Sequence, residues 1–468
     1  SSLLPLRLPL IWLADFRFTT YFNKHLKGKK GGGRDGLSPM TFWSKYSDEL
    51  PIFVQRCKEG TYRFSPYKEK LVLKGRGKPP RVLSVPSIRD RLVLGVLNDY
   101  LQEMFPEAVN HQVPNSYISD ASSFLAEHFY KPVYCFKTDF HHFYDELNRK
   151  RLMSILEKRL DKNMLLLVEQ AIATPTVACK EQIPTQLKET GNKGVPQGLA
   201  ISNILAGIYM LDFDEYFSSD YSPVLFYRRY VDDILILDPY LSPLFKDEFE
   251  SEMDKFQLDL RLSSDKTSLV EVGKSDIDYI GYLIRDYHKI SVRQKNMQSY
   301  LNRIARLVTL YKAQKENRSL RPPFISENDK FETYYKDSIN ELIAGFKSNN
   351  HRYGWLPYFQ SLTDISLLYT LDSVIHRKFL NDDRVSDEFR KEIFHVPDVY
   401  WDLKHHSGSN YLEDYDNITS VDSMRRLLVK WGRINENLHY QDDDIRTMYY
   451  IYLETKKKFA QRTVGQTY

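Results

Sequence analysis

Tyr230-Val231-Asp232-Asp233 stands between two short apolar runs, Val224-Leu225-Phe226-Tyr227 and Ile234-Leu235-Ile236-Leu237. β-Branched and aromatic residues suit a half-buried sheet and Asp tolerates turn backbone, so the stretch reads as two strands joined by a tight turn. Two adjacent carboxylates at a hairpin tip repel each other, and a divalent cation would relieve the repulsion. An acidic pair on a turn is usually just solvated. A second stretch changes the odds: Phe136-Lys137-Thr138-Asp139-Phe140-His141-His142-Phe143-Tyr144, where another Asp leaves an apolar strand containing Val133, Tyr134, Cys135 and Phe136. If the two strands are neighbours in one sheet, Asp139 and Asp232 meet above it and can hold two Mg²⁺ ions about 3.5–4 Å apart, the arrangement used for in-line phosphoryl transfer.

Asp139, then Gly194-Val195-Pro196-Gln197-Gly198, then Tyr230-Val231-Asp232-Asp233 follow the order and spacing of the first three palm motifs of reverse transcriptases, and residues 30–285 resemble that family. The resemblance implies an α+β right-hand polymerase, with fingers and a palm built on an antiparallel catalytic sheet, followed by an α-helical thumb and C-terminal extension. The expected divisions are 1–130 for the N-terminal segment and fingers, 131–290 for the palm with interleaved fingers elements, and 291–468 for the thumb and extension. The implied chemistry is nucleotidyl transfer with Asp139, Asp232 and Asp233 catalytic. Those three residues and Phe140 would hold two Mg²⁺ ions, with Mn²⁺ as the alternative ion.

With 468 residues, 42% of them hydrophobic, the chain can bury a large core and is expected to form two or three domains. No run of about 18 apolar residues occurs, and Ser1-Ser2-Leu3-Leu4-Pro5-Leu6-Arg7 is too short and interrupted for a secretory signal. The expectation is a cytoplasmic protein without a membrane partner. Cys57, Cys135 and Cys179 have the spacing of neither a disulfide framework nor a zinc site. Net charge is only +4, but residues 1–100 hold 19 Lys and Arg against 8 Asp and Glu. A basic N-terminal fifth suits a surface that contacts phosphate.

Gly31-Gly32-Gly33 calls for a mobile or tightly turning backbone, and Gly33-Arg34-Asp35-Gly36 resembles a segment ahead of the fingers in group II intron and related bacterial enzymes. Alternation over residues 62–86 reads as a β-hairpin with a basic tip. By position in the family, Lys78 and Arg81 would neutralise the incoming triphosphate, the guanidinium being suited to a bidentate grip. Tyr144 falls five residues after Asp139, where polymerases that use ribonucleotides carry a second Asp; its ring would exclude a ribose 2′-hydroxyl and select dNTPs. Gln197 would touch the nascent pair, and Gly198 and Tyr230 the template and primer. Lys266, in Ser264-Asp265-Lys266-Thr267, is a candidate to protonate or stabilise the leaving pyrophosphate. Gly281, in Ile277-Asp278-Tyr279-Ile280-Gly281-Tyr282-Leu283, resembles the turn that grips the primer end. Beyond residue 290 the period becomes helical, with Leu301, Ile304, Val308 and Tyr311 on one face and Arg303 and Arg306 off it, suited to a product duplex.

No His-Asn-His nuclease motif, Cys-rich finger or retron signature is evident. A palm with a long helical tail most resembles the defence-associated reverse transcriptases of the "unknown group" and abortive-infection type. That resemblance implies an RNA-directed DNA polymerase in bacterial antiphage defence, with a structured non-coding RNA as template, a DNA product and, as in some members, a homo-oligomeric assembly. The alternatives are a retron or group II intron-like enzyme, a template-independent protein-primed DNA polymerase, for which Tyr468 is one of 33 tyrosines to consider, and a catalytically silent RNA-binding scaffold.

Overall fold

The computed structural model describes residues 13–27, 29, 31–73, 79–110, 112–178, 193–406 and 408–464. Lys78, Cys179 and Tyr468 lie outside the described residues. Two compact units interleave along the chain, one of residues 1–111 with 136–269 and one of 112–135 with 270–468.

In the first unit, β1 (Tyr67–Val72) and β2 (Arg81–Val85) pair antiparallel with Val72 opposite Arg81, the hairpin expected from the alternation. β3 is Tyr134–Asp139, and β4 (Thr176–Val177) adds to β1 in parallel. β5 (Phe226–Tyr230), β6 (Asp233–Asp238) and β7 (Ser268–Glu271) complete a sheet of order β5-β6-β3-β7. The strands that end in Asp139 and begin at Asp233 are therefore neighbours, as the metal reading required.

Ile234, Leu235, Ile236 and Leu237 are all fully buried. A continuous apolar run of this kind marks a strand covered on both faces. Phe245 and Phe249, on the helix Phe245–Lys255, set their rings 5.2 and 5.4 Å from Phe136. Phe217, on the helix Ser202–Ser218, lies 5.2 Å from Tyr227. Each such ring contributes about 1.5–3 kcal/mol by burial, which fixes β3 and β5 against their helices.

One expectation changes in this unit. The run Gly31–Gly33 is packed rather than free, since a Cβ on Gly33 would stand 2.5 Å from the Cα of Ser87. Turn and bend residues 197–201 lead from the second motif to the helix that begins at Ser202, whose hydroxyl donates to the Pro196 carbonyl at 2.6 Å.

The second unit holds the antiparallel meander β8 (Ile277–Tyr279), β9 (Tyr282–Ile284) and β10 (Ile290–Val292). The helix Gln294–Glu316 follows, burying Tyr300, Ile304, Val308 and Tyr311 on one face. The helical reading beyond residue 290 misses a small sheet of β11 (Phe346–Ser348), β12 (His351–Tyr353) and β13 (Glu413–Asp414). Its hairpin turns at Asn349 and Asn350, with φ 52° and 59°, a conformation Asn tolerates. Both turn N–H groups donate to Asp416, at 2.5 and 2.8 Å. Around it Phe346, Tyr415, Met424, Leu428, Ile445 and Tyr449 form a core with the helices Val421–Lys430 and Asp442–Thr463. Among the described residues, no helix is long and apolar enough to cross a membrane.

Candidate active site

Asp139 closes β3 and is 1% exposed. Its carbonyl accepts from the Ser263 N–H at 2.9 Å, and its Oδ2 accepts from the Lys266 ammonium. Oδ1 is buried without a hydrogen-bond partner. Asp232 sits in the two-residue turn between β5 and β6, where Tyr230 pairs with Asp233. The Phe140 N–H donates to the Asp232 carbonyl at 3.2 Å, so backbone alone ties the first motif to the third.

That turn is strained. Val231 has φ 58°, a left-handed conformation that costs a β-branched residue about 1–3 kcal/mol. Arg229 holds it, donating to the Val231 carbonyl at 2.5 Å while its guanidinium grips Asp214 on the helix Ser202–Ser218. Tyr227 donates to the same carboxylate at 2.7 Å. Sequence reasoning assigned nothing to Arg229 or Asp214, because no local spacing links residues on a strand and a helix 15 positions apart.

Burial raises the carboxyl of Asp232, with Asp139 adding to the effect and Lys266 and Arg81 opposing it. Asp233 is pushed up to about 6, first by burial and then by Asp232, with Lys137 opposing. Lys137, one strand position from Thr138, was also missed. Three oxygen donors in mutual repulsion, one carrying an orphaned buried oxygen, fit a hard divalent cation, and Lys266 supplies a positive charge at the same carboxylate.

Because the folded state binds the Asp233 proton more tightly than the unfolded chain does, stability falls as pH rises from about 4 to about 6 and the penalty is complete above that window. In the absence of divalent cations, Asp233→Asn should raise the melting temperature by roughly 2–5 °C near pH 7.5 and leave it unchanged near pH 4. Differential scanning calorimetry at the two pH values checks this; a lower melting temperature near pH 7.5 would rule out the repulsion.

Tyr144, on the helix Phe143–Glu146, donates its hydroxyl to Asn203 Oδ1 at 2.7 Å. Burial and then the Asp232 charge push its ionisation well up, with Arg229 and Arg81 opposing, which sets the ring in the electrostatic reach of both Asp232 and Arg81. The second motif lies against β2: the Gln197 carbonyl accepts from the Ser84 N–H at 2.7 Å, and the Gln197 amide reaches Asp145 Oδ1 at 3.4 Å. Gly198, at φ 99°, would bring a Cβ 3.0 Å from the Ser84 carbonyl, so no other residue fits without a shift. Arg81, Tyr144, Gln197, Gly198, Tyr230 and Lys266 thus belong to the unit that holds the three Asp residues. Gly281, Arg303 and Arg306 belong to the other. Gly281 turns between β8 and β9 at φ 92°, Arg303 lies over the Phe459 ring at 4.2 Å, and Arg306 is exposed.

Residues 72–284 match the family model described as reverse transcriptase (RNA-dependent DNA polymerase). Protein YkfC of Escherichia coli (strain K12) is 23% identical over 322 residues, covering 58% of this chain and 80% of that protein. The group II intron-encoded protein LtrA of Lactococcus lactis subsp. cremoris is 22% identical over 207 residues, covering 43% of this chain and only 33% of LtrA. Among solved structures, telomerase from Candida albicans in complex with a fragment of telomeric RNA aligns over 91% of this chain and 67% of that one, at 14% identity and a TM-score of 0.40. The strand that ends in Asp139, the turn that carries Asp232 and the second motif all fall inside the matched span, and so residues 72–284 form a reverse transcriptase domain, an enzyme domain of the right-hand polymerase fold.

Proposed function

We propose that this protein copies RNA into DNA by nucleotidyl transfer from dNTPs, on a cognate structured non-coding RNA, and that it serves bacterial defence against phage. The chemistry rests on one observation above the rest: Asp139, Asp232 and Asp233 converge through the Phe140–Asp232 backbone hydrogen bond, with one carboxylate oxygen buried and unsatisfied. In this reading 131–290 is the palm and 291–468 the thumb and extension. Asp139, Asp232 and Asp233, with Phe140, would hold two Mg²⁺ ions, which when bound activate the primer hydroxyl and offset charge on the leaving pyrophosphate. Arg81 meets the triphosphate, Tyr144 filters the sugar, and Gln197 and Gly198 bear on the new base pair. Lys266, held at Asp139, is placed to neutralise charge at the reacting phosphate once that carboxylate takes another cation. The largely helical region beyond residue 291, which resembles the tail of defence-associated enzymes, supports the defence reading. The likeness to LtrA favours a second reading, an intron-type enzyme.

Sequencing the nucleic acid that copurifies with the full chain separates these. A single structured RNA with matching complementary DNA is expected. Intron RNA would transfer the assignment to the second reading, a homopolymer would overturn the RNA template, and protein-linked DNA would show that a side-chain hydroxyl starts the strand.

A further inference from the structure

In the second unit, the helices Gln294–Glu316, Asn328–Ala344, Val421–Lys430 and Asp442–Thr463 border a cavity of about 780 Å³, within the range of small-ligand sites. Its charge is unbalanced. Two of its five cations are matched, Lys430 by Asp337 at 2.6 Å and Lys456 by Glu341 at 2.5 Å. The other three are the guanidiniums of Arg303, Arg306 and Arg433, and among the described residues none of them has a carboxylate within ion-pair distance.

The same wall is aromatic. Trp431 and Tyr452 stand 4.6 Å apart, steadied by the Lys456 ammonium 4.5 Å from the indole and the Arg433 guanidinium 4.3 Å from the phenol. Trp355 also lines the cavity; it is 1% exposed and its indole N–H has no hydrogen-bond partner. A buried donor of that kind is costly unless an acceptor reaches it. Phe459, 48% exposed, adds a further ring, with the Arg303 guanidinium 4.2 Å from it.

Flat rings, a spare N–H donor and three guanidiniums without counter-ions match a ligand with a planar heterocycle and phosphate. We propose that this cavity binds a nucleotide, either a free nucleoside triphosphate or the 5′-phosphorylated end of a strand. The site lies wholly in the second unit and does not depend on the polymerase reading.

Photo-cross-linking the full chain with 8-azido-ATP in EDTA, followed by peptide mass spectrometry, tests it. Label is expected within residues 331–346 or 426–460 and is competed by ATP. Competition by a 5′-phosphorylated oligonucleotide, with a 5′-hydroxyl oligonucleotide failing, would identify a strand end; competition by ATP alone would identify a free nucleotide. Arg306→Glu with Arg433→Glu should weaken competition by about tenfold or more at an unchanged melting temperature. The milder Arg433→Gln gives the same direction should the double variant fold poorly. Label confined to residues 136–269, label that neither competitor displaces, or labelling indifferent to both variants would overturn the proposal.

Discussion

Asp139→Asn protein should extend a primer at least about 10³-fold more slowly than the parent, and Asp139→Asn with Asp232→Asn should make no product while still folding. Asn keeps the shape of the side chain and one carbonyl oxygen, so what is lost is the charge that a divalent cation needs. Folding should survive because neutralising one member of a repelling cluster removes an unfavourable term. Burial raises Asp232 and Asp139 raises it further, and that coupling vanishes in the variant. The change also strips Lys266 of its carboxylate, but that lysine side chain is 49% exposed and can turn to water. The two substitutions should not add, since either one disables the same site. Primer extension with matched melting curves decides the matter, and polymerisation surviving in the double variant would refute the site.

What could be read in the letters, and what could not, divides along the line between local and distant interactions. The hairpin around Asp232 was legible because two apolar runs flank a turn, and β3 because an apolar run stops at an Asp. Their adjacency was inferred, and it is the sheet order that supplies it. The clamp that holds the strained turn was illegible: Arg229 reaches Asp214 across a strand and a helix, and an Arg in a strand is ordinarily a surface residue. The placing of Lys266 on Asp139 was equally hidden, for the two are 127 positions apart. The small sheet at 346–353 escaped because strands of three residues are too short for period-2 alternation to emerge. Gly31–Gly33 misled in the opposite direction. Glycine serves close packing as well as mobility, and only the neighbouring Ser87 backbone tells which.

Tyr144→Ala should cut the preference for dNTPs over ribonucleotides by roughly a hundredfold, chiefly by letting ribonucleotides in. A ring that excludes a hydroxyl by overlap works only if it cannot swing away, and here it is anchored at its far end by the 2.7 Å hydrogen bond to Asn203. Asn203 stands near the start of the helix Ser202–Ser218, which also carries Asp214, so one rigid element fixes both the turn that bears Asp232 and the ring of Tyr144. A phenol is protonated at neutral pH in any case, and burial and the Asp232 charge push its ionisation further upward, so the donor that the anchor needs persists into alkaline solution. Tyr144→Phe keeps the ring and loses the anchor, and should relax discrimination only partly; Asn203→Ala should resemble it. Ratios of kcat/KM for a dNTP and its ribonucleotide, taken across the three variants, order the effects. An alanine variant as selective as the parent would mean that some other side chain meets the sugar, and the ring at 144 would then be packing alone.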